Sequence, residues 1–421
     1  MDDSANYYRA TANSFASQPP LAGDASADLV VIGGGFTGMA AALAAAEDGR
    51  KVVLLEAESV GHGASGRNGG QLIPGLRWSA GELVEAFGIS QAKAIDAVAM
   101  MAVERVAARI ERHGIECDHK SGHLEAAWKP SHLAAMAREA DLLARDFGRH
   151  DLELVAPGEM ERHIRTTCYH GGVFDPRGGH FHPLNYLIGL ARAARAAGVV
   201  ICEDSRVVEL RQGGQVTAAT AGGSVIAPQA IVVADAWTDT LLPAARGMTV
   251  PIINYNVATA PLGALADTLL PSDAAVADSR YVLNYFRLSA DKRMIFGGGE
   301  KYRTAPPASI AEFVRPHMAG VFPQLAETPI DYGWGGVVSV TMNRLPHLGR
   351  ERAIWFAHGF SGHGALLTTL AGELLAEAID GDCTQFDTLA ALPHRRFPGG
   401  RVFAKPLATL GLLYYALKDR L

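Results

Sequence analysis

Residues Asp28 to Glu56 constrain this chain more than any other stretch. Asp28-Leu-Val-Val-Ile-Gly-Gly-Gly-Phe-Thr-Gly38 is followed by a run of small residues and then by Val52-Val-Leu-Leu-Glu56. Leu29 to Ile32 is the short apolar run of a buried parallel strand. Gly33, Gly35 and Gly38 fit G-x-G-x-x-G. The first glycine serves the tight turn, the second the close approach of a pyrophosphate, and the third the packing of helix on strand. The helix that follows offers free N–H groups and the positive end of its dipole to phosphates. Glu56 closes the second strand at the spacing of an acid that binds a ribose hydroxyl pair. Strand, glycine turn, helix, strand and acid together predict a Rossmann-type dinucleotide-binding unit.

Leu29 to Ala46 carries no charge, but three consecutive glycines and Thr37 make it a poor membrane helix. It also begins late and lacks the basic start of a signal peptide. We therefore expect no membrane helix and no targeting segment, and a cytoplasmic protein. The formal charge of −6, with no basic block, argues against a nucleic-acid partner. Cys117, Cys168, Cys202 and Cys383 are scattered without a C-x-x-C pair, so neither a zinc site nor a disulfide framework is expected, and no metal site is assigned. Charged residues make up only 19% of the chain, which predicts extensive burial around a large cofactor or at the interface of a homo-oligomer.

At 421 residues, two or three domains are expected. Residues 1–23 read as an extended arm. Residues 80–150 are rich in Ala, Glu and Arg with apolar positions three and four apart, and read as mostly helix. His182 to Gly198 begins with a proline near N1 and ends in glycine, a punctuated helix, and Val199 to Cys202 reads as a strand. A hairpin region at 205–227 precedes the strand Ala230–Ala234, and 250–300 alternates as antiparallel strands do. Gly362 to Ile379 is a further helix opened by a glycine-rich turn. Parallel units at both ends with a strand-rich middle imply one α/β domain built from separated segments, with another inserted.

After Glu56, Val60 to Gln71 holds five glycines in twelve residues. Such a loop brings backbone N–H groups close to a ligand, and Arg67, Asn68 and Gln71 add side-chain donors. Ala57, Ser65, Gly66 and Gly70 join them as candidate cofactor contacts, as do Val207 and Ala234.

Here the chain resembles a family, the D-amino-acid-oxidase-like flavoproteins that include glycine oxidase and sarcosine oxidase. Gly63-Ala-Ser-Gly-Arg-Asn-Gly-Gly-Gln71 is similar to the gamma-glutamylputrescine oxidase branch. The likeness continues through Gly179 to Tyr186, Tyr285 to Arg287 with Arg293 to Gly298, Trp334 to Gly336, Arg344 to Gly349 and Gly359 to Gly364. It implies FAD rather than NAD, and a mixed-sheet substrate domain beside the FAD-binding domain. The implied boundaries are 24–88, 172–248 and 334–391 for the FAD-binding domain, 89–171 and 249–333 for the substrate domain, and 392–421 for a tail. In the family, the glycine-rich turn matching Gly359–Gly364 faces the flavin pyrimidine, so Ser361, Gly362, His363 and Gly364 become candidates there. Donors and a dipole at that end favour the reduced flavin. His363, which could supply positive charge, and Arg67 are the catalytic candidates.

Relatives that oxidise alpha-amino acids carry an arginine shortly after the tryptophan turn, where its fork clamps the carboxylate. The corresponding position here is Val338. This implies a small-molecule amine substrate with its reacting nitrogen away from any carboxylate, oxidised by hydride transfer to flavin N5 and then hydrolysed as an imine. Tyr255, Tyr285 and Trp334 are candidate walls, and Arg287 or Arg344 candidate ligands of a remote carboxylate. Two alternatives stay open: an oxidase or dehydrogenase of a secondary amino acid, and a flavin-carrying non-catalytic subunit of a larger complex. Some relatives attach flavin to a cysteine after that tryptophan; Val337-Val-Ser-Val-Thr341 has none, so non-covalent FAD is expected. Ile295 stands where sarcosine-oxidising relatives carry a lysine, with Lys292 and Lys301 nearby. The branch nevertheless implies oxygen as electron acceptor.

Overall fold

Residues 5–300 and 307–398 are described by the structure, a computed structural model. Lys301 therefore lies outside the described residues, as does all but the start of the expected tail.

The dinucleotide unit sits in a six-stranded sheet ordered His347–Glu351, Ile354–His358, Gln229–Val232, Leu29–Ile32, Val52–Leu55, Val200–Cys202. Its last five strands are parallel, and His347–Glu351 is antiparallel to its neighbour. Alternation along the central strands covers two faces. Leu29, Val31, Val52 and Leu54 join one core with the helices Phe36–Glu47, Ile89–His113, Pro183–Ala196 and Gly364–Ile379. Val30, Ile32, Val53 and Leu55 join another core beneath a small four-stranded sheet of residues 25–26 and 209–227. Burial on both faces is why these strands read as unbroken apolar runs. Helices Phe36–Glu47 and Gly364–Ile379 meet at backbone distance: a Cβ on Gly372 would lie 2.2 Å from the Thr37 carbonyl oxygen.

A nine-stranded mixed sheet forms the second body. Its path is Ile330–Thr341, Thr249–Thr259, Met294–Glu300, Tyr285–Leu288, Ala275–Asp278, Lys120–Ala126, Gly172–His180 and Gln71–Leu72, with Glu153–Val155 also paired to Gly172–His180. Again parity divides the faces. Leu124, Val257, Val276 and Phe286 pack with the helix Ile310–Val321, while His123, Glu125, Asn256, Ala277 and Tyr285 face a cavity.

Three expectations change. The stretch 80–150 holds the helices Ala80–Phe87, Ile89–His113 and Pro130–Phe147, but Lys120–Ala126 is a strand. Gly114 ends the long helix in the left-handed region, at φ +57°, and the alternation from Leu124 to Ala126 then suits a sheet with one core face. Gly172–His180 and the segment from Trp334 to Thr341, expected with the cofactor domain, pair within the nine-stranded sheet. Ladder continuity explains this, since Thr249–Thr259 pairs with Ile330–Thr341 along its whole length. The described part of the arm is not extended throughout. Tyr7–Ala10 forms a helical turn with Tyr7 and Tyr8 buried.

Among the described residues, no helix is long and apolar enough to cross a membrane, and no cluster of His, Cys, Asp or Glu suits a metal ion. The four cysteines are free.

The helix predicted after His182 is present as Pro183–Ala196, and His182 caps it, its Nδ1 accepting from Asn185 N at 3.1 Å while Nε2 meets Thr11 Oγ1 at 3.0 Å. Burial, aided by Arg287, pushes its pKa down from 6.5 to about 3. The unfolded chain then binds a proton that the folded one refuses, so this stability is complete above pH 6.5 and is lost as the pH falls towards 3. His182→Asn keeps a capping side chain. It should flatten the fall in unfolding free energy between pH 6.5 and 4 by up to about 1.4 kcal/mol per pH unit. Chemical denaturation at stepped pH measures this, and an unaltered slope would refute it.

Candidate active site

A cavity of about 1380 Å³ runs between the two large sheets. At one end lie Gly33, Gly35, Glu56, Ala57, Val207 and Ala234. Gly33 takes φ +112°, and a Cβ there would stand 2.6 Å from Val233 O, so only glycine makes this turn. Gly35 is the N-cap of Phe36–Glu47 and supplies no side-chain cap, leaving that end to backbone N–H groups. Two are taken within the protein: Gly34 N donates to Glu56 Oε2 at 2.7 Å and Phe36 N to Ser65 Oγ at 3.0 Å. Burial raises the pKa of Glu56, and the N–H groups of Gly34, Glu58 and Ala57 offset part of that cost. Gly38 does not line the cavity. A Cβ there would fall 1.8 Å from Gly33 O, so this glycine seats helix on turn.

The loop after Glu56 crosses from one sheet to the other. Arg67, Asn68, Gly69 and Gln71 line the cavity, yet their polar groups bond the loop itself and the nine-stranded sheet. Arg67 is 1% exposed; its Nε donates to His62 O at 2.7 Å and its Nη1 to Gly335 O at 3.3 Å. Asn68 Nδ2 bonds the carbonyls of Ala64 and Ser65, both at 3.1 Å, and Gln71 Nε2 those of Val276 and Phe286 at 2.8 and 3.2 Å. Gly66 and Gly70 press against the carbonyls of Gly61 and Phe181. Asn68 and Gln71, expected as donors to a ligand, thus have their amides committed to backbone.

Opposite, Ser361, Gly362, His363 and Gly364 line the cavity where the helix Gly364–Ile379 begins. Ser361 takes φ +56°, and its Oγ meets Gly359 O at 3.1 Å and Thr341 N at 3.2 Å. The His363 Nε2 is buried without a hydrogen-bond partner. Burial, then the charge of Arg77, pulls the His363 pKa down from 6.5 to about 4. The imidazole is therefore neutral at pH 7, contrary to its expected role as a source of positive charge. Asp235 completes this region at φ +43°, a conformation Asp tolerates. Its Oδ1 accepts from Gly359 N at 3.1 Å, and burial raises its pKa to about 6.

Of the candidate substrate residues, Tyr285 and Val338 line the cavity, as does Arg344. Tyr285 donates to Asn254 Oδ1. Tyr255, Arg287 and Trp334 are not among the lining residues. Tyr255 packs on Phe313 at 5.6 Å between ring centroids, in the core behind the sheet. Trp334 is 1% exposed, stacked edge-on to Tyr8 at 5.0 Å, and its Nε1 donates to Arg67 O at 3.0 Å. Arg287 donates to Gly69 O at 2.9 Å, Leu288 O at 3.0 Å and Tyr8 Oη at 3.1 Å. Trp334 and Arg287 position the loop and Tyr255 fills the core; none of the three walls the cavity. Lys292 pairs with Asp267 at 2.7 Å on the surface, and Ile295 is buried against the N-terminal turn.

Sequence reasoning missed His123, Glu125, Arg77 and Asp235, all on the cavity wall. The signal for the first two was the alternation His123-Leu-Glu125, legible once Lys120–Ala126 is read as a strand.

Comparison with known proteins agrees with this architecture. Residues 28–378 match the family described as FAD dependent oxidoreductase (DAO). The chain is 37% identical to gamma-glutamylputrescine oxidoreductase of Escherichia coli (strain K12), over 100% of this chain and 99% of that protein. It is 23% identical to glycine oxidase of Geobacillus kaustophilus, over 86% and 94% of the two chains. The crystal structure of the Geobacillus kaustophilus glycine oxidase superposes with a TM-score of 0.73 at 20% identity, covering 85% of this chain and 95% of that one. L-Proline dehydrogenase from P. horikoshii superposes at 0.71 and 21% identity, covering 85% and 94%. With its glycine turn, its acid and its two-sheet cavity in place, the chain belongs to the FAD-dependent oxidoreductase (DAO) family.

Proposed function

We propose that this chain holds FAD without a covalent bond and oxidises a C–N bond of an amine whose reacting nitrogen stands apart from any carboxylate. The substrate class is gamma-glutamylputrescine-like primary or secondary amines, with oxygen as acceptor and the cytoplasm as location. The residues present fit FAD. The Gly33–Gly35 turn has no side chains to obstruct a pyrophosphate, Glu56 follows the second strand, and the His363 Nε2 is a buried polar atom without a partner on the cavity wall. At about 1380 Å³ the space exceeds the roughly 300–1,000 Å³ of ordinary ligand pockets, enough for cofactor and substrate together. Gly33, Gly35, Glu56, Ala57, Val207 and Ala234 would hold the nucleotide, and Ser65, Arg67, Ser361, Gly362, His363 and Gly364 the remainder. When bound, FAD supplies a two-electron acceptor for hydride from the carbon alpha to nitrogen.

One observation carries the choice of an amine: the wall formed by Val338, opposite Ile252 in the sheet register, is aliphatic where an alpha-carboxylate would need a clamp. Arg287 is committed to Gly69, Leu288 and Tyr8. The polar groups nearby suit a neutral amine. Burial keeps His363 and His123 uncharged, with pKa values of about 4 and about 3, and each Nε2 lacks a partner. A neutral imidazole can exchange a hydrogen bond with the substrate without adding charge. Loss of two electrons and a proton leaves the protonated imine, and water then releases aldehyde and amine. A second reading, a secondary amino acid as substrate, would rest on Arg344, which also lines the cavity.

Acid precipitation of the protein should leave yellow FAD in the supernatant; a yellow pellet would refute non-covalent binding. Gly35→Val should abolish FAD loading, because even a Cβ meets Ser65 Oγ at 2.9 Å and the larger side chain fills the pyrophosphate's space. Absorbance per protein reads this directly. Gamma-glutamylputrescine or simple primary amines should reduce the flavin anaerobically with higher kcat/KM than glycine, sarcosine or D-alanine. If one of those three is best, Val338 has been misread and an arginine must clamp the carboxylate. Reduced enzyme mixed with aerated buffer should reoxidise at least as fast as turnover, with one peroxide per flavin; slower reoxidation would assign a dehydrogenase.

A further inference from the structure

Val233, Ala234 and Asp235 leave the strand Gln229–Val232 at its carboxyl end and line the cavity beside the dinucleotide turn. The approach is close, since a Cβ on Gly33 would stand 2.6 Å from Val233 O. In an open parallel sheet the crevice outside the carboxyl ends of neighbouring strands is where a dinucleotide lies. A carboxylate is an odd neighbour for a pyrophosphate, because the two are anions. The turn itself does not call for one either. At φ +43° glycine would sit with least strain, and Asp is only tolerated.

The surroundings of Asp235 balance its two protonation states. The side chain is enclosed by protein yet partly open to the cavity. Oδ1 accepts from Gly359 N at 3.1 Å, and the N–H groups of Ser339 and Ala236 also favour the anion. Burial outweighs them and raises the pKa to about 6. Among the described residues, no ion pair reaches this carboxylate. The titratable side chains of the elements packed on the turn Asp235–Trp237 are Tyr255, Asp331, Tyr332, His358 and Asp239, and none of these is a source of the shift. Nor are Arg344 and His363, which line the same cavity. With no fixed charge setting its state, the carboxyl responds to whatever charge enters the crevice.

We propose that Asp235 binds FAD as a neutral carboxylic acid: cofactor binding takes up one proton from solution at Asp235, whose O–H then donates a hydrogen bond to an oxygen of the cofactor. This rests on the reading of FAD as a dissociable cofactor and deepens it. An entering anion disfavours a second negative charge beside it and displaces water, and both effects raise a carboxyl pKa. The protonated group keeps a carbonyl oxygen for Gly359 N and gains a donor on its other oxygen. One side chain thereby joins the dinucleotide turn to the turn that leads into Ser361–Gly364. The sign of the pH dependence follows. FAD affinity is full below about pH 6, where the empty site already holds the proton. It falls as the pH rises above 6 and levels off beyond the raised pKa of the complex.

The test compares wild type, Asp235→Asn and Asp235→Gly, each stripped of FAD and titrated with it again. Asn tolerates the same backbone conformation and imitates the neutral acid, while Gly removes side chain and strain together. Flavin fluorescence gives the Kd of FAD between pH 6 and 9, and calorimetry in two buffers of different ionisation enthalpy counts the protons taken up. Wild type should take up about one proton per FAD at pH 7.5, and its Kd should rise by up to about tenfold per pH unit above 6. Both variants should lose that proton and that slope, and Asp235→Asn should bind FAD at least about tenfold more tightly than wild type at pH 9. No uptake by wild type, or uptake that persists in the variants, would overturn the proposal. Infrared spectra of the FAD-loaded proteins give a second readout: at pH 7.5 wild type should show the C=O stretch of one protonated carboxyl that Asp235→Asn lacks. If FAD cannot be stripped, the non-covalent reading fails, and this band alone decides whether Asp235 carries the proton.

Discussion

One short loop ties the two large sheets together through a buried set of hydrogen bonds, and the cavity between them depends on it. The carbonyl oxygen of Arg67 accepts Trp334 Nε1 at 3.0 Å and Asn256 Nδ2 at 3.3 Å, both from the nine-stranded sheet. From the same loop Arg67 Nη1 reaches Gly335 O, Gln71 reaches Val276 and Phe286, and Gly69 O receives Arg287. The other end of the loop bonds the dinucleotide turn through Ser65 Oγ and Phe36 N. Most of these partners are buried, and a buried polar group left unpaired is expensive, so the set defines a narrow range of allowed positions. The N-terminal turn seals it, with Tyr8 between Arg287 and Trp334 and Asn6 Nδ2 on Gly66 O at 3.4 Å.

Within that frame several titratable groups on the cavity wall are held in their uncharged forms by burial. His363 and His123 are neutral because burial disfavours the imidazolium, helped by the charge of Arg77 at the first and by the imidazoles of His363 and His180 at the second. Asp235 is protonated more readily than an exposed carboxyl, although Gly359 N helps to hold its anion. Glu125 and Glu139 also line the cavity, and burial raises the pKa of both carboxyl groups.

Much of this was legible in the chain. The strand–turn–helix at 29–47, the helix introduced by His182 and the helix opened by Gly364 follow from local rules of apolar period, capping and glycine placement. Those rules act within a few residues, which is why they read well. The strand Lys120–Ala126 was hidden in helical surroundings because its alternation spans few residues and its partners lie at 172–180 and 275–278. Tyr255, Trp334 and Arg287 were attractive as site residues by type alone. Which face of a strand each occupies depends on register with distant segments, and Arg287 found its acceptors on Gly69 and Tyr8, more than two hundred residues away.

The strand order of the six-stranded sheet has a consequence for synthesis. Leu29–Ile32 lies between Val52–Leu55 and Gln229–Val232, and Ile354–His358 completes the parallel set. On a growing chain the dinucleotide turn is therefore made early but lacks one flanking strand until residue 232 has emerged, and its sheet stays open at an edge until residue 358 has followed. Such long-range closure is slow and leaves an apolar strand edge uncovered in the interval. The ribosome-bound chain thus carries a nascent nucleotide site well before it can shield it, a period in which chaperone binding or early cofactor capture would have the most to protect.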